Sequence, residues 1–124
     1  MTTTLEELAA ERLCYLETNG RTSGQPHEIE IWFAVHDGAI YMLAGGGERA
    51  DWVKNLRKNP AVRVRVADTW FPGRARVITG EANDPLARRL LKEKYRDPSD
   101  DLESWARNST PVAIEVIRAQ RGFN

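Results

Sequence analysis

The chain has 124 residues, of which 41% are hydrophobic and 29% charged, a balance typical of one folded domain and unlike that of disordered chains. Its 18 basic and 18 acidic side chains cancel, which argues against a dedicated nucleic-acid binder, because such proteins gather an excess of Lys and Arg against phosphates. Two histidines and one cysteine are too few for a zinc site, so we expect no metal. Residues 1–15 predict neither a signal peptide nor a membrane span, and the expected location is the cytoplasm.

An amphipathic segment and a strand open the chain. Thr4 and Glu7 form the Ser/Thr-x-x-Glu pattern of a capping box, and Leu5 and Leu8 follow helical spacing, so we expect a short helix here. Residues 13–18 mix β-forming and polar side chains and predict a strand. The glycines and the proline that follow predict a turn.

The clearest strand covers residues 28–35, where every second side chain is apolar over the whole run. Asp37-Gly38 joins it to a β-forming run over residues 39–44. An Asp-Gly pair between two such runs predicts an antiparallel hairpin.

The middle of the chain predicts a helix and a second hairpin. Residues 48–58 carry an apolar stripe at helical spacing, and Asn59-Pro60 ends that helix. Residues 61–66 alternate and predict a strand. The turn-prone segment 68–73 then leads into a further predicted strand over residues 74–80.

The last third predicts one helix and one strand. Asp84-Pro85 reads as an N-cap with proline in the first helical position, and residues 111–118 form the final strand. A polar segment, 96–101, and a short stretch around Trp105 lie between them. Six strands joined by tight turns cannot form a parallel sheet, because every parallel pair needs a crossover. We therefore predict a mainly β (α+β) single domain over residues 1–124, built as an antiparallel six-stranded barrel with three short helices.

Three glycines mark one candidate binding site. Gly45-Gly46-Gly47 leads from a strand into the helix that carries Arg49 near its start. Free backbone N–H groups and the helix dipole favour an anion at such a place, so a bound phosphate is one interpretation. A tight connection without any ligand is the other. The Gly-Lys-Ser/Thr ending of a P-loop is absent.

Two further candidates are a polar loop and a helix face. Arg21-Thr22-Ser23 offers a guanidinium and two hydroxyls for phosphate oxygens, and His27 follows closely. An ordinary polar turn is the alternative. Trp52 and Asn55 share a helix face that could meet a planar ring and its polar edge, although a tryptophan at this spacing is usually part of the core.

Four stretches of the sequence form a recognisable pattern: GRTSGQPH at residues 20–27, Trp32, AGGG at residues 44–47 and DWVKNLRKNPAV at residues 51–62. This pattern resembles the deazaflavin-dependent nitroreductase family, within the flavin-binding split β-barrel superfamily of pyridoxamine 5'-phosphate oxidase. The resemblance implies a homodimeric split β-barrel. It also implies transfer of a hydride from reduced coenzyme F-420 to a small organic acceptor, such as a quinone, a nitro compound or an activated alkene.

The resemblance also implies a set of cofactor-binding residues. The phosphate-bearing tail would meet the polar loop and His27, the ring would meet a second group, and Arg49 joins the set through the glycine turn. The loop residues are Arg21, Thr22 and Ser23, and the ring group is Trp32, Ala44, Gly45, Gly46, Trp52 and Asn55.

Two departures from the family pattern leave alternatives open. His27 stands where the family commonly has an arginine, and Thr22 stands where it has a basic residue, which is displaced here to Arg21. Flavin mononucleotide (FMN) is therefore the alternative cofactor, in an FMN-dependent reductase or in a flavin carrier without turnover. No catalytic side chain is assigned, because the cofactor performs the hydride transfer, and Tyr41 or water would supply a proton.

Overall fold

The computed structural model describes residues 3–96 and 102–117, which form seven strands and three α-helices. The strands are β1 (Cys14–Asn19), β2 (Pro26–Ile31), β3 (Ala34–His36), β4 (Ala39–Ala44), β5 (Ala61–Val66), β6 (Thr69–Val77) and β7 (Thr110–Val116), and the helices are α1 (Asp51–Lys58), α2 (Asp84–Lys94) and α3 (Leu102–Asn108). Single 3-10 turns cover Glu6–Leu8 and Gly47–Arg49. Most of the predicted polar segment 96–101, and the end of the predicted last strand at Arg118, lie outside the described residues.

The strands form one antiparallel sheet in the order β2-β1-β5-β6-β7-β4-β3. β2 and β3 lie at its two edges, yet only Trp32 and Phe33 separate them along the chain. The two edges must therefore approach each other, so the sheet curls into a barrel that is split at residues 32–33. The predicted antiparallel barrel is confirmed, with seven strands rather than six.

The additional strand arises because the predicted strand 28–35 is interrupted at Phe33. The backbone N–H of Phe33 donates to the Tyr95 hydroxyl at 3.0 Å, and its carbonyl accepts from the Lys94 ammonium at 2.9 Å. Side chains at the end of α2 thus bond the backbone groups that a neighbouring strand would otherwise bond. Alternation persists across the break, since Phe33 packs in one apolar cluster while Trp32 and Ala34 pack in another.

Two apolar clusters lie on opposite faces of the curled sheet. Along β4, Ile40 and Met42 belong to the cluster inside the barrel, whereas Tyr41 and Leu43 belong to the cluster beneath α2 and α3. All four side chains are buried. Full burial of one such large apolar side chain stabilises the fold by roughly 1.5–3 kcal/mol. Helices α2 and α3 therefore cover one outer face of the barrel, whereas Leu56 of α1 packs in the cluster inside it.

The second predicted hairpin has a shorter turn than expected. Its turn is Ala67-Asp68, with Ala67 at φ 53°, and β6 already begins at Thr69. The prediction of a turn over 68–73 is wrong because the Pro72-Gly73 pair lies within a strand. Gly73 is needed for close approach there, since a Cβ on it would lie 2.6 Å from Cγ2 of Ile114 in β7.

Two helix predictions also need adjustment, and one helix was not predicted. The Thr4–Glu7 capping box is present, with both reciprocal backbone-to-side-chain bonds, at 2.7 and 3.2 Å, but it opens only a 3-10 turn. Asp84 is the first helical residue of α2 and Asn83 is its cap, which shifts the predicted cap by one position. The stretch around Trp105, which carries no strong periodicity, forms α3.

Candidate functional site

The loop between β1 and β2 gathers polar side chains into a tight turn. The Gly20 N–H donates to the Gln25 carbonyl at 2.8 Å, and the Gln25 N–H donates to the Ser23 hydroxyl at 3.1 Å. A Cβ on Gly20 would lie 2.8 Å from the Ser23 hydroxyl and 3.0 Å from Nε2 of His27. The absence of a side chain at residue 20 therefore lets the hydroxyl and the imidazole come together.

Arg21 in this loop is held by the first two turns of α1. Oδ1 of the buried Asn55 accepts from both the backbone N–H of Arg21, at 3.1 Å, and its guanidinium, at 2.9 Å. The Asn55 amide in turn donates to the hydroxyl of Thr18, which is also buried. The other end of the guanidinium contacts Asp51 at 3.3 Å. The predicted helix-face residue Asn55 thus fixes the loop residue Arg21.

These groups line a polar cavity of about 430 Å³. Its walls come from the loop, from the start of β2 and from α1. They are Thr18, Gly20, Arg21, Thr22, Ser23, His27, Glu28, Ile29, Asp51, Trp52 and Asn55. Guanidinium, hydroxyl and imidazole groups are the donors that phosphate oxygens accept, so the cavity suits a phosphate group.

An apolar cavity of about 700 Å³ adjoins it. Its walls are Leu13, Ile29, Glu30, Ile31, Trp32, Leu43, Ala44, Gly45, Trp52, Leu102 and Trp105. Ile29 and Trp52 line both cavities, so the two lie side by side, and together they are called the groove here. Three indole rings in the wall suit a planar aromatic ligand. The apolar cavity therefore suits a planar ring, and the polar cavity beside it suits a phosphate.

Trp32 is fixed from behind by aromatic contacts. Its ring stacks on Tyr95 and meets Trp105 edge to face at 5.4 Å. Burial raises the pKa of Tyr95 above its ordinary value, so its hydroxyl stays protonated in the packed layer. Burial also lowers the pKa of the adjacent Lys94 from 10.5 to about 8, with a further contribution from Arg12. The wall of the ring cavity is therefore backed by a packed layer in which Lys94 releases its proton more readily than an exposed lysine does.

Nine of the eleven residues predicted to bind a cofactor line this groove. The polar cavity takes Arg21, Thr22, Ser23, His27 and Asn55, the apolar cavity takes Trp32, Ala44 and Gly45, and Trp52 belongs to both. Gly46 and Arg49 line neither cavity, because a 3-10 turn carries the chain away from the groove before α1 begins. Tyr41 is buried and also lines neither.

Sequence reasoning missed several wall residues. Asp51 and Glu28 add carboxylates to the polar cavity, and Glu30 and Trp105 enter the apolar one. Asp51 was within reach of prediction because it precedes Trp52 on the same helix. Trp105 could not be found from the sequence, since only the fold brings α3 to Gly45, which follows the end of β4. A Cβ on Gly45 would lie 3.4 Å from its indole nitrogen.

The described part of the chain holds no helix long and apolar enough to span a membrane. Within residues 3–96 and 102–117, no three His, Cys, Asp or Glu side chains gather as a metal site would require.

Comparison with known proteins identifies relatives of both sequence and fold. A family model described as F420H(2)-dependent quinone reductase matches residues 2–116. The predicted F420H(2)-dependent quinone reductase Rv3178 of Mycobacterium tuberculosis is 26% identical over 102 residues, which cover 80% of this chain and 84% of that protein.

Two solved structures resemble the fold. A structure of an F420-H2 dependent reductase superposes with a TM-score of 0.70 at 20% identity, covering 84% of this chain and 94% of that one. A protein solved as a domain-swapped dimer gives a TM-score of 0.69 at 24% identity, covering 84% of this chain and 80% of that one.

Proposed function

The chain belongs to the F420H(2)-dependent quinone reductase family, and from that premise we propose that its groove binds coenzyme F-420 next to a quinone acceptor. The protein is thus an oxidoreductase that uses coenzyme F-420, as the resemblance to deazaflavin-dependent enzymes implies. One observation carries the assignment of the site: the apolar cavity with its three indoles lies beside the polar cavity around Arg21 and shares Ile29 and Trp52 with it.

The residues of the groove fit this cofactor. The hydroxyls of Thr22 and Ser23 and the guanidinium of Arg21 would hold the phosphate of the tail, because they are its natural hydrogen-bond donors. Trp32 and Trp52 would hold the tricyclic ring. The small residue Gly45 leaves space against Trp105 that a larger side chain would fill, which suits a flat ring edge.

When bound, reduced coenzyme F-420 supplies a hydride, and a quinone takes up that hydride and one proton to become a hydroquinone while the coenzyme is left oxidised. The protein's part is to orient both rings and to keep water from the face across which the hydride moves. Ile29, Ile31 and Leu43 provide that apolar lining. The proton comes from water in this proposal, since Tyr41 does not reach the groove.

A quinone is the acceptor class we favour, because a planar ring can stack between indole walls and the family's description names quinones. Nitro compounds and activated alkenes also accept a hydride and are the two alternative acceptor classes. Rates of oxidation of reduced coenzyme F-420 with one member of each class, measured under equal conditions, rank the three. A rate of oxidation more than tenfold higher with the nitro compound than with the quinone would overturn our preference.

Titration of the purified protein with coenzyme F-420, followed by the coenzyme's fluorescence, tests the cofactor site. We expect saturable binding that Trp52→Ala weakens at least tenfold, because Trp52 lines both cavities. Trp70→Ala is the matched control, since Trp70 lies on β6 beneath Arg63 and Arg65 and lines neither cavity. Equal loss in both variants would place the ring elsewhere.

Turnover distinguishes a reductase from a carrier that only binds the cofactor. Reduced coenzyme F-420 is mixed with a quinone with and without the protein, and its oxidation is followed by absorbance. Acceleration by the wild type but not by Trp52→Ala supports a reductase. Binding without acceleration for any acceptor class would leave the carrier as the correct function.

We also propose that the protein acts as a homodimer. The neighbour solved as a domain-swapped dimer supports this, as does the exposure of Leu13, 38% of whose surface remains accessible at the rim of the apolar cavity. Light scattering coupled to size exclusion measures the mass directly. A monomer at all concentrations that support activity would contradict the proposal.

A further inference from the structure

Each charged group in the wall of the polar cavity already has an oppositely charged neighbour. Arg21 contacts Asp51 at 3.3 Å, and Glu28 is contacted at 3.5 Å by Arg65, which lies outside the cavity. Arg21 is the cavity's only Lys or Arg among the described residues. An incoming phosphate therefore meets a cation whose charge is largely balanced, next to two carboxylates.

Asp51 is not needed to keep Arg21 in place. Asn55 accepts two hydrogen bonds from Arg21 and is itself buried, so it positions the guanidinium without adding charge. The Asp51 side chain, by contrast, is 84% exposed, and exposed ion pairs of this kind contribute little to stability. The distinct effect of Asp51 is thus its negative charge beside the phosphate position.

The size of that effect depends on the charge of the ligand. A phosphate monoester carries nearly two negative charges at neutral pH, because its second pKa is close to 6, whereas a phosphodiester carries one. FMN ends in a monoester, and the phosphate of coenzyme F-420 is a diester. Repulsion between Asp51 and the phosphate group beside it grows in proportion to the charge of that phosphate.

We infer that Asp51 is a specificity-determining residue, which selects against dianionic phosphate monoesters and so favours the deazaflavin over FMN. The inference rests on the proposed function and names what decides between the two cofactors. It assigns the discrimination to a carboxylate in the protein, because both cofactors carry a flat tricyclic ring that the apolar cavity would accept.

The test compares FMN with riboflavin, which has the same ring and no phosphate. The ratio of their affinities isolates the contribution of the phosphate, and flavin fluorescence reports both. In the wild type we expect FMN to bind no more than about twofold more tightly than riboflavin. Asp51→Asn keeps the shape and a hydrogen-bond acceptor and should raise the FMN-to-riboflavin ratio roughly fivefold.

Coenzyme F-420 provides the second arm of the experiment. Its affinity should rise only about twofold in Asp51→Asn, because a diester has half the charge of the monoester. Both gains should shrink in about 1 M salt, where the screening length falls to about 3 Å. Glu48→Gln is the matched control, since Glu48 pairs with Arg57 in a similarly exposed ion pair and lines neither cavity.

The outcomes separate this inference from the function on which it rests. Suppose that the wild type binds coenzyme F-420, but Asp51→Asn leaves the ratio of FMN affinity to riboflavin affinity unchanged or shows no detectable FMN binding. The inference about Asp51 is then overturned, and the proposed function stands. If the wild type does not bind coenzyme F-420 at all, both fail. Asp51→Ser, a second uncharged polar replacement at the first residue of α1, repeats the test should the Asn variant unfold at lower temperature.

Discussion

The ring of Trp32 stacks on the ring of Tyr95, with centroids 4.2 Å apart and planes only 2° from parallel. The hydroxyl of the same Tyr95 accepts the Phe33 N–H at 3.0 Å and lies 2.9 Å from the Arg12 carbonyl, to which it can donate. One side chain from the end of α2 therefore supports the split of the barrel and, through Trp32, the wall of the proposed ring site.

Removal of the hydroxyl in Tyr95→Phe should lower the free energy of unfolding by about 1 to 3 kcal/mol, because the buried Phe33 N–H loses its partner. The stack on Trp32 should survive, so ring binding should change less than stability. Urea unfolding measures the first and cofactor titration the second. Tyr15→Phe is the control, as the Tyr15 hydroxyl has no hydrogen-bond partner within the described ranges. A larger loss of stability in Tyr15→Phe would contradict the assigned role.

Gly73→Ala should destabilise the protein by about 1 to 3 kcal/mol, the usual cost of an added methyl group in a packed region. Its Cβ would lie 2.6 Å from Cγ2 of Ile114 and 2.9 Å from the carbonyl oxygen of Glu115, so backbone as well as side chain must move. Gly46→Ala serves for comparison, since its Cβ would sit at an ordinary 3.6 Å from Ala50. Equal unfolding midpoints for the two variants would show that β6 and β7 are less closely packed than described.

Loss of the guanidinium in Arg21→Ala should weaken binding of coenzyme F-420 by about 1 to 3 kcal/mol, the cost of losing hydrogen bonds to a charged group. Oδ1 of Asn55 would also lose the hydrogen bond that it accepts from the Arg21 guanidinium. Arg57→Ala is the control, because it removes an exposed arginine that pairs with Glu48 outside the groove. The dissociation constant of coenzyme F-420 for this variant should equal that for the wild type. An unchanged dissociation constant for Arg21→Ala would remove Arg21 from the site.

Lys94 should make stability depend on pH in the alkaline range. Burial lowers its pKa from 10.5 to about 8, so between these values the folded protein has released a proton that the unfolded chain still holds. Stability from this residue therefore rises as pH increases from about 8 to 10.5. A neutral amine keeps two N–H donors, enough for the carbonyls of Ala9 and Phe33.

The difference in unfolding free energy between the wild type and Lys94→Met isolates this effect, and we expect it to grow across that window. Cys14 acts in the opposite direction, since burial raises its pKa from 9.0 to about 12, but it is present in both proteins. Lys92→Met removes a surface partner of Glu103, and the difference in unfolding free energy between the wild type and this variant should not change with pH across the window. A flat profile for Lys94→Met as well would show that the amine is better solvated than its burial indicates.

Local patterns predicted much of the fold because the determinants were local. The Asp37-Gly38 turn has both residues at positive φ, as an Asp-Gly hairpin requires, and β4 and β5 have the bounds that the sequence predicts. The interruption at Phe33 had no local cause. It depends on Tyr95 and Lys94, which the fold brings from the far end of α2.

The candidate site shows the same contrast between residues set by local pattern and residues set by tertiary packing. The motif around Arg21 and the helix face of Trp52 and Asn55 were visible in sequence, because each lies within one turn or one helix. That Asn55 bonds Arg21 could not be predicted, since it depends on α1 packing beside the end of β1. Trp105 entered the ring cavity only through the tertiary packing of α3, for which spacing gives no rule.

The position of β2 and β3 at opposite edges of the sheet has a consequence for local opening of the barrel. The apolar cavity takes Ile29 and Ile31 from the edge strand β2 and Leu43 from β4, which lies next to the other edge strand, so a ligand there contacts the sheet on both sides of the split. Segments with few buried apolar contacts open locally more readily than the core does, and no residue of β2 is fully buried. A bound cofactor would therefore slow amide hydrogen exchange in β2, because its contacts with β2 and β4 would hold the two sides of the split together.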